Sequence, residues 1–357
     1  MKKIFLLILV LCMVGCNNNM NKVEKQEENI EDKETLEIIE KEFTEEDYRN
    51  SGVDELGKVP IMMYHGIHNK KNEETSYIGG NVDKDGYQRT SEAFINDLEF
   101  YYQNGYRMIR LNDYIDGNID VEFGKSPIIL TFDDGLSNNI KVNGIDEEGN
   151  LIIDSNCAVG ILESFKEKYK DYNVTATFFI NAGLFGQPEH NEKIIKWLID
   201  NGYDIGNHTY SHVDFTKVDS DRTQAEMGKM YEILDSIIPN SYVNIVALPF
   251  GSPYSLNHNN MEYIFNSNYN GNKYITKAAL RVGWEAESSP FSLDFNSKFL
   301  KRIRAYDNNS VDFDIEMNFK LLESTRYISD GNKETIVISE EKANFVGNVY
   351  SKELISY

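Results

Sequence analysis

Pro127-Ile128-Ile129-Leu130-Thr131-Phe132-Asp133-Asp134-Gly135 is a run of apolar, strand-forming residues that ends in two adjacent carboxylates and a glycine. A strand buried on both faces reads as a continuous hydrophobic run. Its end therefore delivers Asp133 and Asp134 to a rim. Neighbouring carboxylates repel, so burial with a partner or a bound cation has to hold them there. A divalent metal does this with one acid as ligand and leaves the other as a base. Taken alone, the stretch also fits a strand that ends in a solvated Asp-Asp-Gly turn.

Gly206-Asn207-His208-Thr209-Tyr210-Ser211-His212 shifts the balance towards a metal. Two of the six histidines of the chain stand here, four residues apart and directly after another strand-like run, Gly202-Tyr203-Asp204-Ile205. Neutral imidazole is a common zinc ligand, and two histidines with one carboxylate and an open position make a catalytic rather than a structural set.

Around these two segments, apolar runs alternate with amphipathic ones. Strands are expected at residues 60–64, 107–111, 128–132, 175–180, 203–206, 244–248 and 278–282, with a weaker one at 299–304. Helices are expected at residues 91–104, 158–169, 192–201, 221–238 and 261–266. Alternation of this kind predicts a parallel sheet with crossover helices, and seven or eight units predict a barrel. The unusual polar residues all follow strand ends: His65, Asp133 and Asp134, Asn181, His208 and His212, Pro249-Phe250-Gly251 and Trp284. In an α/β barrel the site forms at that carboxyl rim. Residues 141–153 read as a hairpin inserted after the third strand, with Glu148-Gly149-Asn150 as its turn.

The chain opens with Met1-Lys2-Lys3 and the apolar run Ile4-Phe5-Leu6-Leu7-Ile8-Leu9-Val10-Leu11, an export signal too short for a comfortable membrane span. Met13-Val14-Gly15-Cys16 resembles a bacterial lipoprotein processing site, so cleavage before Cys16 and its lipidation are expected. Two acyl chains suffice for stable anchoring. Cys12 falls in the signal and Cys157 is left without a partner, so no disulfide framework supports the exported chain. Residues 17–57 hold 5 basic and 14 acidic residues and read as a solvated tether, with a helix expected near residues 37–48. Of the total charge of −22, about −15 remains on the rest of the chain, which disfavours nucleic acid and strongly anionic polymers as partners.

Thr131-Phe132-Asp133-Asp134-Gly135, Ala176-Thr177-Phe178-Phe179-Ile180 and His208-Thr209-Tyr210-Ser211-His212 together resemble the polysaccharide deacetylases of carbohydrate esterase family 4, the NodB-homology group. Ile61-Met62-Met63-Tyr64-His65, Phe94-Ile95-Asn96-Asp97-Leu98 and Gly105-Tyr106 add to the likeness, which covers residues 58–305. The resemblance implies an α/β fold, a distorted (β/α) barrel of seven or eight strands. It implies Asp134, His208 and His212 as ligands of a divalent metal, zinc-like, and Asp133 as general base. The function it implies is removal of N-acetyl groups from an N-acetylglucosamine-containing surface polysaccharide or peptidoglycan. With the signal, the expected organisation is a lipoprotein signal peptide at 1–15, an acidic tether at 16–57, the deacetylase domain at 58–340 and a C-terminal tail at 341–357. The expected protein is a monomer, lipid-anchored on the outer face of a bacterial membrane.

Two departures from the family pattern bear on the chemistry. Where the family carries an arginine in an Arg-Pro-Pro-Tyr-like segment, this chain reads Ala247-Leu248-Pro249-Phe250-Gly251. Arg281, Arg302 and Arg304 are the candidates to orient Asp133 in its place. The family's late Leu-x-His motif has no counterpart, since the matching strand reads Lys301-Arg302-Ile303-Arg304-Ala305. His65 either supplies that missing acid or is a structural histidine beneath the site. His65, Pro249, Phe250 and Trp284 are the candidate substrate-binding residues, with Tyr254 nearby; core packing is the alternative for Trp284. Two rival functions follow from the departures: a catalytically weakened glycan-binding surface lipoprotein, and an O-deacetylase, whose leaving group needs less help from an acid.

Overall fold

The computed structural model describes residues 43–357, so the export signal, Cys16 and the first part of the expected tether lie outside the described residues. The run before Asp133 is the strand β3 of a curled sheet. In chain order the strands are β1 (Ile61–Tyr64), β2 (Tyr106–Met108), β3 (Ser126–Phe132), β4 (Thr177–Ile180), β5 (Asp204–Asn207), β6 (Ile245–Ala247), β7 (Ala278–Leu280) and β8 (Ile303–Arg304). They lie in the order β7-β6-β5-β4-β3-β1-β8, with β2 beside the first half of β3, and every pairing is parallel. Leu300, in the run-in to β8, bridges Leu280 of β7, so the two edges of the sheet approach each other. The expected distorted barrel is present as a curled half-barrel with seven strands along its path.

The helices are α1 (Glu45–Ser51), α2 (Ser91–Gln103), α3 (Leu111–Ile115), α4 (Ala158–Lys168), α5 (Asn191–Asp200), α6 (Ser220–Ile237), α7 (Asn260–Phe265) and α8 (Ile315–Leu322). Several start where a side chain satisfies the free N–H groups of the first turn: Thr90 accepts from Ala93, Asp219 from Arg222 and Asp314 from Met317. The strand expected at 107–111 ends at Met108, because Leu111 already begins α3. α3 is too short for helical periodicity to show in sequence, and α8 lies beyond the segment that the alternation covered. The expected hairpin forms from Val142–Ile145 and Leu151–Ile153.

Both faces of the sheet are buried, which explains why β3 has no polar alternation. Met62, Leu130, Phe178, Ile205 and Val246 face the outer helices, where Phe94, Leu162, Leu198 and Met230 cover them. The residues between them in sequence, Ile61, Ile129, Phe179, Ile245 and Ala247, fill the concave side with Phe291, Tyr327, Ile336 and Ile338. Each such side chain contributes about 1.5–3 kcal/mol by leaving water. The alternation also fixes what reaches the rim. His65, Asp133 and Arg302 continue the concave set, since side chains two residues apart share a face.

Two expected boundaries are corrected. The folded body begins well before residue 58. Thr44 caps α1 in a reciprocal capping box with Asp47, Gly52 ends the helix in the left-handed region, and Val53 is buried. Glu55, also buried, accepts from Tyr327 Oη (2.7 Å), Val337 N (2.8 Å) and Asp330 N (3.3 Å). Acidic composition misleads here because these acids serve as a cap and as a buried acceptor. The stretch at 341–357 is likewise no free tail. Glu353–Ser356 pairs in parallel with Thr335–Ile338, and Tyr357 Oη donates to Val53 O (2.7 Å). Glu55→Ala strands three donors and is expected to lower stability by about 3 kcal/mol, a few degrees in Tm. A melting curve matching that of the unaltered protein would return residues 43–57 to the tether.

Candidate active site

Asp134, His208 and His212 converge at the carboxyl rim, one ligand-type atom from each lying within 4.8 Å of the others. Asp134 Oδ1 is 3.2 Å from His208 Nε2 and 3.3 Å from His212 Nε2. Tetrahedral zinc with bonds near 2.1 Å separates its ligand atoms by about 3.4 Å, close to both Asp134–histidine distances, so the set suits one such ion. His208 is buried, and its Nδ1 lies 2.8 Å from the carbonyl of Ala247. Donation there fixes the tautomer and presents the lone pair of Nε2 to Asp134, as metal-bound histidines require. Nε2 itself has no hydrogen-bond partner among the described residues, a buried polar atom that a metal would satisfy. Asp134 and His212 keep 26% and 33% of their side-chain exposure, which leaves the open side a catalytic site needs.

The backbone is forced to make this arrangement. Asp134 (φ 75), Thr209 (φ 63), His212 (φ 56) and Phe250 (φ 58) all occupy the left-handed region, which disfavours residues with a Cβ. Such strain survives only where its surroundings hold it, and it gathers at functional sites. The His208–His212 loop is held by Asn207, whose Oδ1 accepts from Thr209 N (2.7 Å), and above all by α6. Tyr210 N donates to the carbonyl of Glu226, while the Glu226 carboxylate accepts from Ser211 N (2.7 Å) and Ser211 Oγ (2.8 Å). Glu226 is 1% exposed and paired with Arg222 at 2.6 Å. Glu226→Ala is expected to weaken zinc or cobalt binding about ten-fold, because His212 loses the anchor next to it. Calorimetric metal titration checks this, and unaltered affinity would reduce Glu226 to a structural acid.

Asp133 lies beside the cluster and is buried. Both its oxygens are taken by Arg302, which donates through Nη1 to Oδ1 (2.8 Å) and through Nη2 to Oδ2 (2.7 Å). Arg302 is fully buried, steadied by donation from Nε to the carbonyl of Arg281 and from Nη1 to Thr131 Oγ1. Gly283 is needed against it: a Cβ there would lie 1.8 Å from the Arg302 carbonyl oxygen. Burial pushes the Asp133 carboxyl up, but the Arg302 charge, then His208 and the Arg302 hydrogen bonds, outweigh it and hold it far below the usual carboxylate range. Burial also opposes ionisation of Asp134, and the close contact with His208 and its charge win there too. Both acids are therefore anions at neutral pH.

Of the three arginines that sequence offered, Arg302 supplies the support missing from Ala247-Leu248-Pro249-Phe250-Gly251. Arg281 instead lies over the ring of Phe299 (4.3 Å), and Arg304 over Tyr306 and Tyr87. His65 sits on the concave side with its ring edge-on to Tyr87 at 5.1 Å. Its buried Nδ1 has no partner among the described residues. Burial lowers its pKa, and Asp133 and Asp134 pull in the opposite sense. Pro249 is buried, whereas Phe250 is 55% exposed with its ring 4.7 Å from that of His212. Trp284, 56% exposed, is not core packing; it directly follows the Gly283–Arg302 contact. Sequence reading missed Glu226, since a glutamate within an amphipathic helix carries no mark of burial.

An Asp-His-His cluster beside an arginine-paired aspartate, at the carboxyl rim of a curled parallel sheet, defines a candidate metal-hydrolase site. Residues 120–267 match the model of the family described as polysaccharide deacetylase. A chitin deacetylase of Arthroderma benhamiae is 36% identical over 74 residues, 21% of this chain and 20% of that protein. A peptidoglycan-N-acetylglucosamine deacetylase of Bacillus cereus is 31% identical over 115 residues, 32% of this chain and 33% of that protein. The chain thus spans a third or less of the length of these curated relatives. The solved structure of Streptococcus pyogenes deacetylase PplD in complex with acetate is 19% identical, with a TM-score of 0.50 over 73% of this chain and 97% of that one. At that identity the likeness establishes the fold.

Proposed function

We propose that this chain is a metal-dependent hydrolase that removes N-acetyl groups from an N-acetylglucosamine-containing surface polysaccharide or peptidoglycan. The observation that carries the reading is Asp134, His208 and His212 sharing one small volume with the Arg302-paired Asp133 at its side. Asp134, His208 and His212 would hold the metal, with zinc the best match to two imidazoles and a carboxylate. When bound, the ion polarises the acetyl carbonyl and lowers the pKa of water towards ~7.

The chain's own groups supply the rest. Asp133, kept ionised and oriented by Arg302, accepts the proton of the attacking water through lone pairs that Arg302 leaves free. Its depressed pKa makes it a weak base, so it suits water that is already acidified. The backbone N–H of Phe250, at the strained turn beside His212, is the candidate donor to the oxyanion. As the C–N bond breaks, the amine needs a proton, and His65 offers an unpaired ring nitrogen on the same concave face. The products are acetate and a free amino sugar. Phe250 and Trp284 offer exposed flat surfaces on which sugar rings pack through their C–H faces.

The opening sequence supports export and lipid attachment at Cys16, and with them work at the outer face of a bacterial membrane. Among the described residues no helix is long and apolar enough to cross a membrane. The weakened, binding-only reading loses one of its two motives once Arg302 stands in for the absent arginine, and keeps the other, the absent late histidine. An O-deacetylase would use the same groups, so amide and ester substrates belong in one experiment. Acetate release from N-acetylglucosamine oligomers, wall fragments and acetylated xylan, with zinc or cobalt supplied, tests the proposal. Release from the amides that disappears in His208→Ala supports it; release unaltered in that variant removes the site, and release from the ester alone reassigns the substrate.

A further inference from the structure

Arg304 stands two residues beyond Arg302 on β8. Ile303, between them, is buried in the outer core, so Arg302 and Arg304 both face the concave side, with Arg304 about 6.6 Å nearer the mouth. The two arginines have different surroundings. Arg302 is fully buried and consumed by Asp133. Arg304 is partly exposed, and among the described residues no carboxylate pairs with it. Its guanidinium lies 3.9 Å from the ring centroid of Tyr306 and 5.0 Å from that of Tyr87. Tyr87 in turn meets the ring of His65.

A guanidinium stacked on aromatic faces keeps its N–H donors in its own plane, where they stay available to a planar anion. Stacking also fixes the fork without neutralising it. Among the described residues Arg281 and Arg326 likewise lie over aromatic rings without a paired carboxylate; Arg304 differs in standing two residues beyond Arg302 on the concave side. We propose that Arg304 is an anion subsite that receives the carboxylate of an acidic sugar adjoining the N-acetylated one. The identity of that neighbouring sugar rests on the deacetylase reading above; the anion subsite does not. The acidic balance of the chain selects among anionic glycans. One cation at the mouth suits a carboxylate on alternate sugars, while the surrounding negative charge repels a phosphodiester polymer with an anion at every unit.

The experiment compares three tetrasaccharides: neutral N-acetylglucosamine, the same sugar alternating with a carboxylate-bearing one, and the latter with its carboxyl reduced to an alcohol. KM and kcat are measured from acetate release on the zinc-loaded protein, with calorimetric binding in parallel, for the unaltered chain and for Arg304→Gln. The proposal expects KM for the acidic oligomer to lie about ten-fold below that of its reduced form, in keeping with a charge-assisted hydrogen bond. Arg304→Gln removes that difference and leaves kcat unaltered. Equal KM for acidic and reduced forms overturns the subsite. So does an Arg304→Gln loss that falls alike on all three oligomers, which assigns the arginine to packing of Tyr87. If no oligomer releases acetate, the deacetylase reading fails, and a calorimetric preference for the acidic form that Arg304→Gln abolishes keeps the subsite standing.

Discussion

Asp133→Asn is expected to reduce acetate release by roughly 10²–10⁴, the usual contribution of a positioned general base. The asparagine is nearly the same shape, and it accepts through one oxygen only. Its amide nitrogen cannot take a proton from water, and it faces one of the two Arg302 donors that the carboxylate satisfied. Metal binding is expected to persist, because Asp134, His208 and His212 are untouched. That separation gives the variant its value: turnover falls while zinc stoichiometry stays at one. Activity within a few-fold of the unaltered protein would remove Asp133 from the proton path.

Arg302→Met is expected to have the largest effect on stability. It leaves the Asp133 carboxylate buried without its counter-charge, which costs on the order of 3–5 kcal/mol. The sign of the pH dependence follows from the depressed pKa of Asp133. A carboxyl whose folded pKa lies below its unfolded value contributes stability above about pH 4, lost as pH falls through the folded value. Without Arg302 that contribution disappears and burial pushes the unpaired Asp133 carboxyl up, so acid neutralises the stranded charge and the variant is hurt most at neutral pH. Combining Arg302→Met with Asp133→Asn should recover much of the loss, since no unpaired charge then remains. Chemical denaturation of the two variants at pH 7 and pH 4 tests this; equal losses at both pH values would mean that the pair is not ionised.

The sequence reveals the metal half of the site more readily than its support, and the reason is physical. His208, His212 and Asp134 are adjacent to strand ends, and a strand end has a known direction, so their meeting at one rim follows from the alternation. Arg302 was one of three arginines near that rim. Its parity relative to Ile303 decides between them, and parity depends on where β8 begins. Glu226 shows the opposite limit, because burial against Ser211 depends on how α6 rotates on the sheet. The misjudged boundaries have a similar origin. Thr44 and Asp47 form a capping box within one helical turn, whereas Glu55 looks like solvated polar chain until Tyr327 and Val337, distant in sequence, are brought beside it.

Titration of the metal-free chain with zinc, followed by calorimetry and repeated with His208→Ala and His212→Ala, tests the central claim most directly. The account predicts one ion per chain, proton release on binding, and loss of that site in both variants. Zinc that fails to bind, or binds as tightly after either histidine is removed, would contradict it.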